Sequence, residues 1–206
     1  LVQDLVAGLS EDDLVLDPFC GTGTTALACS QHKIACDTVD VNPFLVWLAK
    51  VKCELYSHAD IQRVQAFAER LASGELDGSE AWAPPIHDIH KWWSEPTLHA
   101  LSGLFAQISQ ESSARSRDLL CIAFCRAVIE SAAVSFAHQS MSFRAVDSQP
   151  TLFSEPASDR VLGHFTRAVT EVAQSTAETP LGAVKAVLGD SRDLAQILPL
   201  ERYTAV

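Results

Sequence analysis

The stretch Leu14-Val15-Leu16-Asp17-Pro18-Phe19-Cys20-Gly21-Thr22-Gly23-Thr24-Thr25 limits what this chain can fold into more than any other. Leu14 to Leu16 follow an acidic turn, Ser10-Glu11-Asp12-Asp13, and form the short apolar run of an interior strand in a parallel sheet. Pro18 cannot donate to a sheet ladder, so pairing is expected to end there. Gly21 and Gly23 allow backbone angles and a close approach that a Cβ would forbid. Thr24 and Thr25 are expected to cap a helix that continues through Ala26-Leu27-Ala28. A ligand at this turn would meet unpaired backbone N–H groups at the helix N-terminus.

A second apolar run, Ile34 to Val39, closes on Asp40. A carboxylate roughly 20 residues past a glycine turn is placed to accept hydrogen bonds from ribose hydroxyls. The dinucleotide fingerprint asks for a third glycine, and Ala26 takes that position, a replacement the pattern tolerates. No lysine stands between the turn and Lys33, which argues against a triphosphate-binding loop. Asp17-Pro18-Phe19 disfavours an NAD-dependent oxidoreductase, whose sites carry small residues there.

The string Asp17-Pro18-Phe19-Cys20-Gly21-Thr22-Gly23-Thr24-Thr25, joined to Val39-Asp40-Val41-Asn42-Pro43, resembles the S-adenosylmethionine site of amino-methyltransferases. The nearest group is the DNA methylases that modify adenine N6 or cytosine N4. The resemblance implies an α/β, Rossmann-like methyltransferase fold, here partial: a parallel sheet with a helical insertion between strands two and three. It implies S-adenosyl-L-methionine as cofactor, with Asp17 facing the methionine ammonium and Asp40 holding the ribose diol. Asp190 lies at the Gly-Asp end of the third strand, Ala183 to Leu188, and is implied to accept from the adenine amino group. Cys20, Gly21, Gly23 and Thr24 complete the implied cofactor set. Phe19 and Val41 are implied to pack on the cofactor from either side, with core packing as the other reading of each.

In the same family the strand that Tyr203-Thr204-Ala205-Val206 resembles runs into a catalytic loop, Ser/Asp/Asn-Pro-Pro-Tyr. No Pro-Pro-Tyr occurs in these 206 residues, so no catalytic residue is assigned. The segment alone is expected to bind the cofactor without methylating DNA. The chain opens within an apolar helical pattern, Leu1 to Leu9, without an initiator methionine, and is expected to be a segment of a longer protein. That helix is implied to cover the methionine end of the cofactor.

A hydrophobic fraction of 48% and a charged fraction of 20% are those of a globular domain with a full core. No apolar run reaches the ~18–20 residues of a membrane span, and no stretch of these residues is expected to be a signal peptide. Six cysteines without a Cys-x-x-Cys pair read as buried free thiols of a reducing, cytoplasmic protein. Cys121 and Cys125 share a helix face, and His87 and His90 are the nearest further donors by composition, but no metal site is assigned. The net charge of −11 argues against a broad nucleic-acid footprint on this segment. DNA, the implied partner, is then met through regions partly outside it, in the remainder of the same chain.

Residues 1–72 are read as the first half of a cofactor-binding domain, 73–180 as a mainly helical insertion and 181–206 as the return to the sheet. Asn42-Pro43 opens a helix from Phe44 to about Tyr56, with proline in the first turn where its missing N–H costs nothing. Periodicity predicts further helices at Ala59–Ala72, Thr97–Ser109, Ser116–Ala137 and Ser158–Ser175, and Asp193–Leu198 as a short one. Ser94 is the expected cap of the second of these. Residues 73–85 read as a linker and 147–157 as irregular. Trp92 and Trp93 are read first as packing anchors of the insertion and second as a base-stacking pair. Arg144, with Ser140 and Ser142, is a candidate phosphate contact.

The function implied is methyl transfer from a sulfonium to an exocyclic amine of adenine or cytosine in DNA, within a restriction–modification or related defence system. One alternative is an RNA guanine-N2 methyltransferase; the long helical stretch between Asp40 and Asp190 favours the DNA group. The other is a non-catalytic cofactor-binding subunit.

Overall fold

The computed structural model describes residues 2–72, 84–135, 142–143, 155–177, 183–199 and 202–206. In chain order these form α1 (Val2–Val6), β1 (Leu14–Asp17), α2 (Thr24–Gln31), β2 (Ala35–Asp40), α3 (Pro43–Cys53) and α4 (His58–Ala72). There follow α5 (Ile89–Trp92), α6 (Glu95–Ser109), α7 (Ala114–Glu130), β3 (Val134–Ser135), β4 (Ser142–Phe143) and α8 (Ala157–Ala177). The chain closes with β5 (Val184–Leu188), a 3-10 turn (Ser191–Asp193) and α9 (Leu194–Ile197). Two compact units result: Leu1–Tyr56 with Ala177–Val206, and Ser57–Thr176. The sequence-based boundary at residue 72 groups α4 with the first strands, whereas the compact division groups it with the helices that follow.

In the first unit a parallel sheet runs in the order β1-β2-β5. Asp17 stands opposite Thr38, and Asp40 opposite Leu188, so consecutive strands end at the same edge. An isolated parallel bridge joins Ala205 to Val15 on the other side of β1. Thus β1 is an interior strand, and burial of both its faces is why Leu14-Val15-Leu16 reads as a continuous apolar run rather than an alternation. The sheet is covered on both faces. Val15 and Cys36 pack with Val6, Ala26, Ala28, Cys29 and Ile34, while Leu16 and Val39 pack with Leu198 and the half-buried Leu194, Ile197 and Tyr203.

α3 begins as its sequence predicts: the Asn42 side chain accepts from the Phe44 N–H at 3.0 Å, with Pro43 next in line. α2 does not. Its cap position is Gly23, with no side-chain cap bond; Thr24 lies inside the first turn, its hydroxyl 3.3 Å from that of Thr22. Ser94 does precede α6, but its hydroxyl meets that of Thr97 at 2.9 Å instead of a backbone N–H.

The second unit is mainly helical. Val64, Phe67, Leu104, Ile108, Leu120 and Phe165 are fully or nearly fully buried there, and the Phe67 and Phe165 rings meet edge-on at 6.3 Å, joining α4 to α8. α7 ends at Glu130, short of the predicted Ala137. The Ala133 N–H goes to the Trp92 carbonyl at 2.6 Å, and Val134–Ser135 pairs antiparallel with Ser142–Phe143. Tertiary pairing here overrides a helix-compatible sequence. The linker at 73–83, Ser140, Arg144 and most of the irregular stretch, 147–154, lie outside the described residues. Among the described residues no helix is long and apolar enough to cross a membrane.

Candidate functional site

Asp17 and Asp40 close β1 and β2, and Asp190 follows β5 by two residues, so the topology brings all three carboxylates to one edge of the sheet. Asp17 pairs laterally with Thr38, and Asp40 lies two residues beyond Thr38. With a side-chain period of two, Asp17 and Asp40 therefore share a face as well as an edge.

Asp40 organises the glycine turn. Its Oδ2 accepts the Gly21 N–H at 3.0 Å and its Oδ1 accepts the Asn42 N–H at 2.8 Å. An ionised carboxylate has about four lone-pair sites, so each oxygen keeps one for a ligand hydroxyl. Asp17 Oδ1 accepts the Phe19 N–H at 3.0 Å and fixes the bend after β1. Asp17 also lines a cleft of ≈ 370 Å³ together with Leu5 and Val6 of α1, Pro18, Thr25 and Ala205.

Three amides of the turn ahead of α2 are engaged within the protein. Cys20 N–H donates to the Val39 carbonyl at 2.9 Å, Gly21 N–H to Asp40, and Gly23 N–H to the Cys20 carbonyl at 2.9 Å. These three groups hold the turn together and do not await a ligand. Both glycines have positive φ, +50° and +74°. The missing Cβ of Gly23 makes room for α3: a Cβ there would lie 2.9 Å from that of Ala49. Cys20 is turned into an apolar cluster with Val46, Ala49 and Ala186, and burial pushes its thiol pKa up. Phe19 and Val41 are 74% and 66% exposed, so neither is a core residue and both stand at the carboxyl edge.

Asp190 is engaged by Arg192. Its Oδ1 accepts from the Arg192 backbone N–H at 2.9 Å and from Nε at 3.0 Å; its Oδ2 accepts from Nε at 3.0 Å and Nη2 at 2.5 Å. These bonds hold the carboxyl pKa down to about 2.

Two participants escape a reading by motif. Lys52 Nζ donates to the Thr22 carbonyl at 2.8 Å and braces the glycine turn from α3. The available signal is its place one turn beyond Ala49, the residue that touches Gly23. Tyr203 Oη donates to Asp37 Oδ2 at 2.7 Å and ties the segment carrying Ala205 to β2. Nothing local in the sequence announces that pair.

In the second unit, Trp93 Nε1 donates to the Val128 carbonyl at 2.9 Å and stacks on Trp92 with ring centroids 6.1 Å apart, as a packing anchor does. Among the described residues no group of three or more His, Cys, Asp or Glu is arranged to hold a metal ion. Of the six free cysteines, Cys20, Cys29 and Cys36 are buried, whereas Cys53, Cys121 and Cys125 are partly exposed.

The first unit is a mixed α/β arrangement with a small parallel sheet, consistent with a Rossmann-like fold. Residues 3–50, which hold most of α1, β1, the glycine turn, β2 and most of α3, match the family model described as DNA methylase. The chain is also similar to the Type II methyltransferase M.MjaII of Methanocaldococcus jannaschii, 38% identical over 53 residues. That similarity spans 26% of this chain and 9% of the relative. No solved structure matches the chain.

Proposed function

We propose that the carboxyl edge of the sheet binds S-adenosyl-L-methionine, and that the whole protein transfers its methyl group to an exocyclic amine, N6 of adenine or N4 of cytosine, in DNA. The observation that carries this reading is the Asp40 carboxylate. It closes the glycine turn through Gly21 while keeping a lone pair on each oxygen for a vicinal diol. The residues fit a sulfonium nucleoside: an acidic group at the end of β1 for an ammonium, a diol acceptor at the end of β2, and a further acceptor after β5 for an exocyclic amine. Exposed Phe19 and Val41 offer apolar contact to a flat base at the same edge.

The bound cofactor would supply an electrophilic methyl group on sulfur. The residues of this chain contribute its placement, which is where a bimolecular transfer gains most from a protein. DNA enzymes of this chemistry take the target base out of the stack. Its recognition falls to surfaces other than this acidic segment, whose formal charge is −11.

Calorimetry of the 206-residue chain with S-adenosylhomocysteine tests the reading. Binding is expected, and Asp40→Ala should weaken it by roughly 1–3 kcal/mol through the lost hydroxyl acceptors and the loosened turn. Undiminished affinity in that variant would place the nucleoside elsewhere.

A further inference from the structure

Asp190 is saturated by a single neighbour. A carboxylate offers about four acceptor directions, and Arg192 fills them with its backbone N–H, its Nη2 and an Nε shared between both oxygens. An incoming amine must therefore displace part of that set. The four contacts are not equivalent. The backbone N–H is fixed by the 3-10 turn that Asp190 itself caps. The guanidinium side chain is 86% exposed and meets no other carboxylate among the described residues, so it can swing into water at small cost. Once it leaves, Oδ1 stays anchored by the backbone and Oδ2 is open.

We propose that Arg192 is a latch on the nucleobase pocket: its guanidinium occupies Asp190 in place of the ligand's exocyclic amine and must be expelled when an aminopurine binds. This rests on the cofactor reading above and adds to it a residue that sets affinity at the nucleobase end. Two consequences follow from the chemistry. The latch lowers the affinity for every ligand that uses Asp190, because the ion pair is broken on binding. Its departure also exposes Asp190 to the ligand, and it is that carboxylate, not the latch, that selects against a base presenting a carbonyl where the amine should be. Such a base cannot replace the N–H donors that Asp190 loses and leaves the carboxylate facing an acceptor.

The test is calorimetry of the full chain with S-adenosylhomocysteine and with its 6-oxo counterpart, S-inosylhomocysteine. Arg192→Met removes the guanidinium and keeps the backbone donor. It is expected to tighten S-adenosylhomocysteine binding by about two- to fivefold, the scale of an exposed ion pair, and to leave the inosyl ligand weak. Asp190→Asn in the Arg192→Met background should abolish the gain. Unchanged or weaker adenosyl binding in Arg192→Met, with Asp40→Ala still lowering it, would overturn the latch and leave the cofactor reading standing. Failure of the unaltered chain to bind S-adenosylhomocysteine would overturn both.

Discussion

The backbone N–H of Gly21 donates to Oδ2 of Asp40 at 3.0 Å, joining the turn after β1 to the end of β2. One carboxylate thus completes a backbone turn and presents its remaining lone pairs to the edge where a nucleoside is proposed to sit. The turn is held from three directions: by Asp40, by the Val39 carbonyl through Cys20, and by Lys52 through the Thr22 carbonyl.

Lys52→Met tests the third of these. The ammonium is the donor that reaches Thr22 from α3, while the methylene stem can be replaced by the methionine side chain. Loss of about 1 kcal/mol in S-adenosylhomocysteine affinity is expected, about fivefold. Hydrogen exchange at the turn amides should quicken, and unaltered exchange and affinity would show the contact to be idle.

Gly23→Ala should destabilise the fold. The new Cβ would stand 2.9 Å from the Ala49 Cβ, and φ is +74°. The combined overlap and left-handed backbone predict a loss of ~1–3 kcal/mol in urea unfolding. Pairing it with Ala49→Gly should recover only part of the steric cost, since the Ala49 Cα stays 3.1 Å from the new Cβ, and none of the backbone cost, so a full rescue would contradict the left-handed strain.

Tyr203→Phe removes the donor to Asp37, at an expected cost of about 1 kcal/mol near neutral pH. Burial, and then the hydrogen bond to Asp37, raise the Tyr203 pKa above the ordinary tyrosine range. A raised folded pKa contributes stability that is whole below the unfolded value, about 10, and fades as the pH climbs toward the folded one. The gap between wild type and Tyr203→Phe should therefore narrow above pH ~10. A gap constant across that window would mean that the hydroxyl is not neutral and bonded as described.

Carboxyl NMR titration offers a check on Arg192 that needs no ligand. Asp190 should titrate at about 2 in the unaltered chain, held low first by the Arg192 side chain and next by its backbone N–H. Arg192→Met is expected to raise the value part of the way to the ordinary aspartate range while leaving it below, because the backbone donor persists. The depressed carboxyl contributes stability that is present above the unfolded pKa and lost as the pH falls through about 2. An identical Asp190 midpoint in the variant would contradict the ion pair.

Much of the first unit is legible from order along the chain. Leu14 to Leu16 announce a strand covered on both sides, Pro18 its end, and Asn42-Pro43 the start of α3, because each acts through its own backbone or nearest neighbours. The placement of Asp17, Asp40 and Asp190 at one edge is also implicit, since parallel strands joined by crossovers must end on the same side. The same local rules mislead where a distant partner intervenes. Thr24 has the chemistry of a cap, but the cap position falls on Gly23, where α3 leaves no room for a Cβ. α7 stops at Glu130 because the Ala133 N–H is claimed by Trp92 and Val134 by a strand partner.

By itself, then, the sequence determined the strand–turn–helix unit, the acidic strand ends and the match of residues 3–50 to a DNA methylase model, all of which depend on neighbours along the chain. Only the tertiary structure decided what each polar group does there. The Gly21 N–H serves Asp40, Lys52 braces Thr22, Tyr203 anchors to Asp37, and Arg192 wraps Asp190. The physical reason is that hydrogen bonds are short and directional, so who donates to whom follows from atoms brought within about 3 Å. For most of these pairs that proximity arises from folding and not from spacing along the chain.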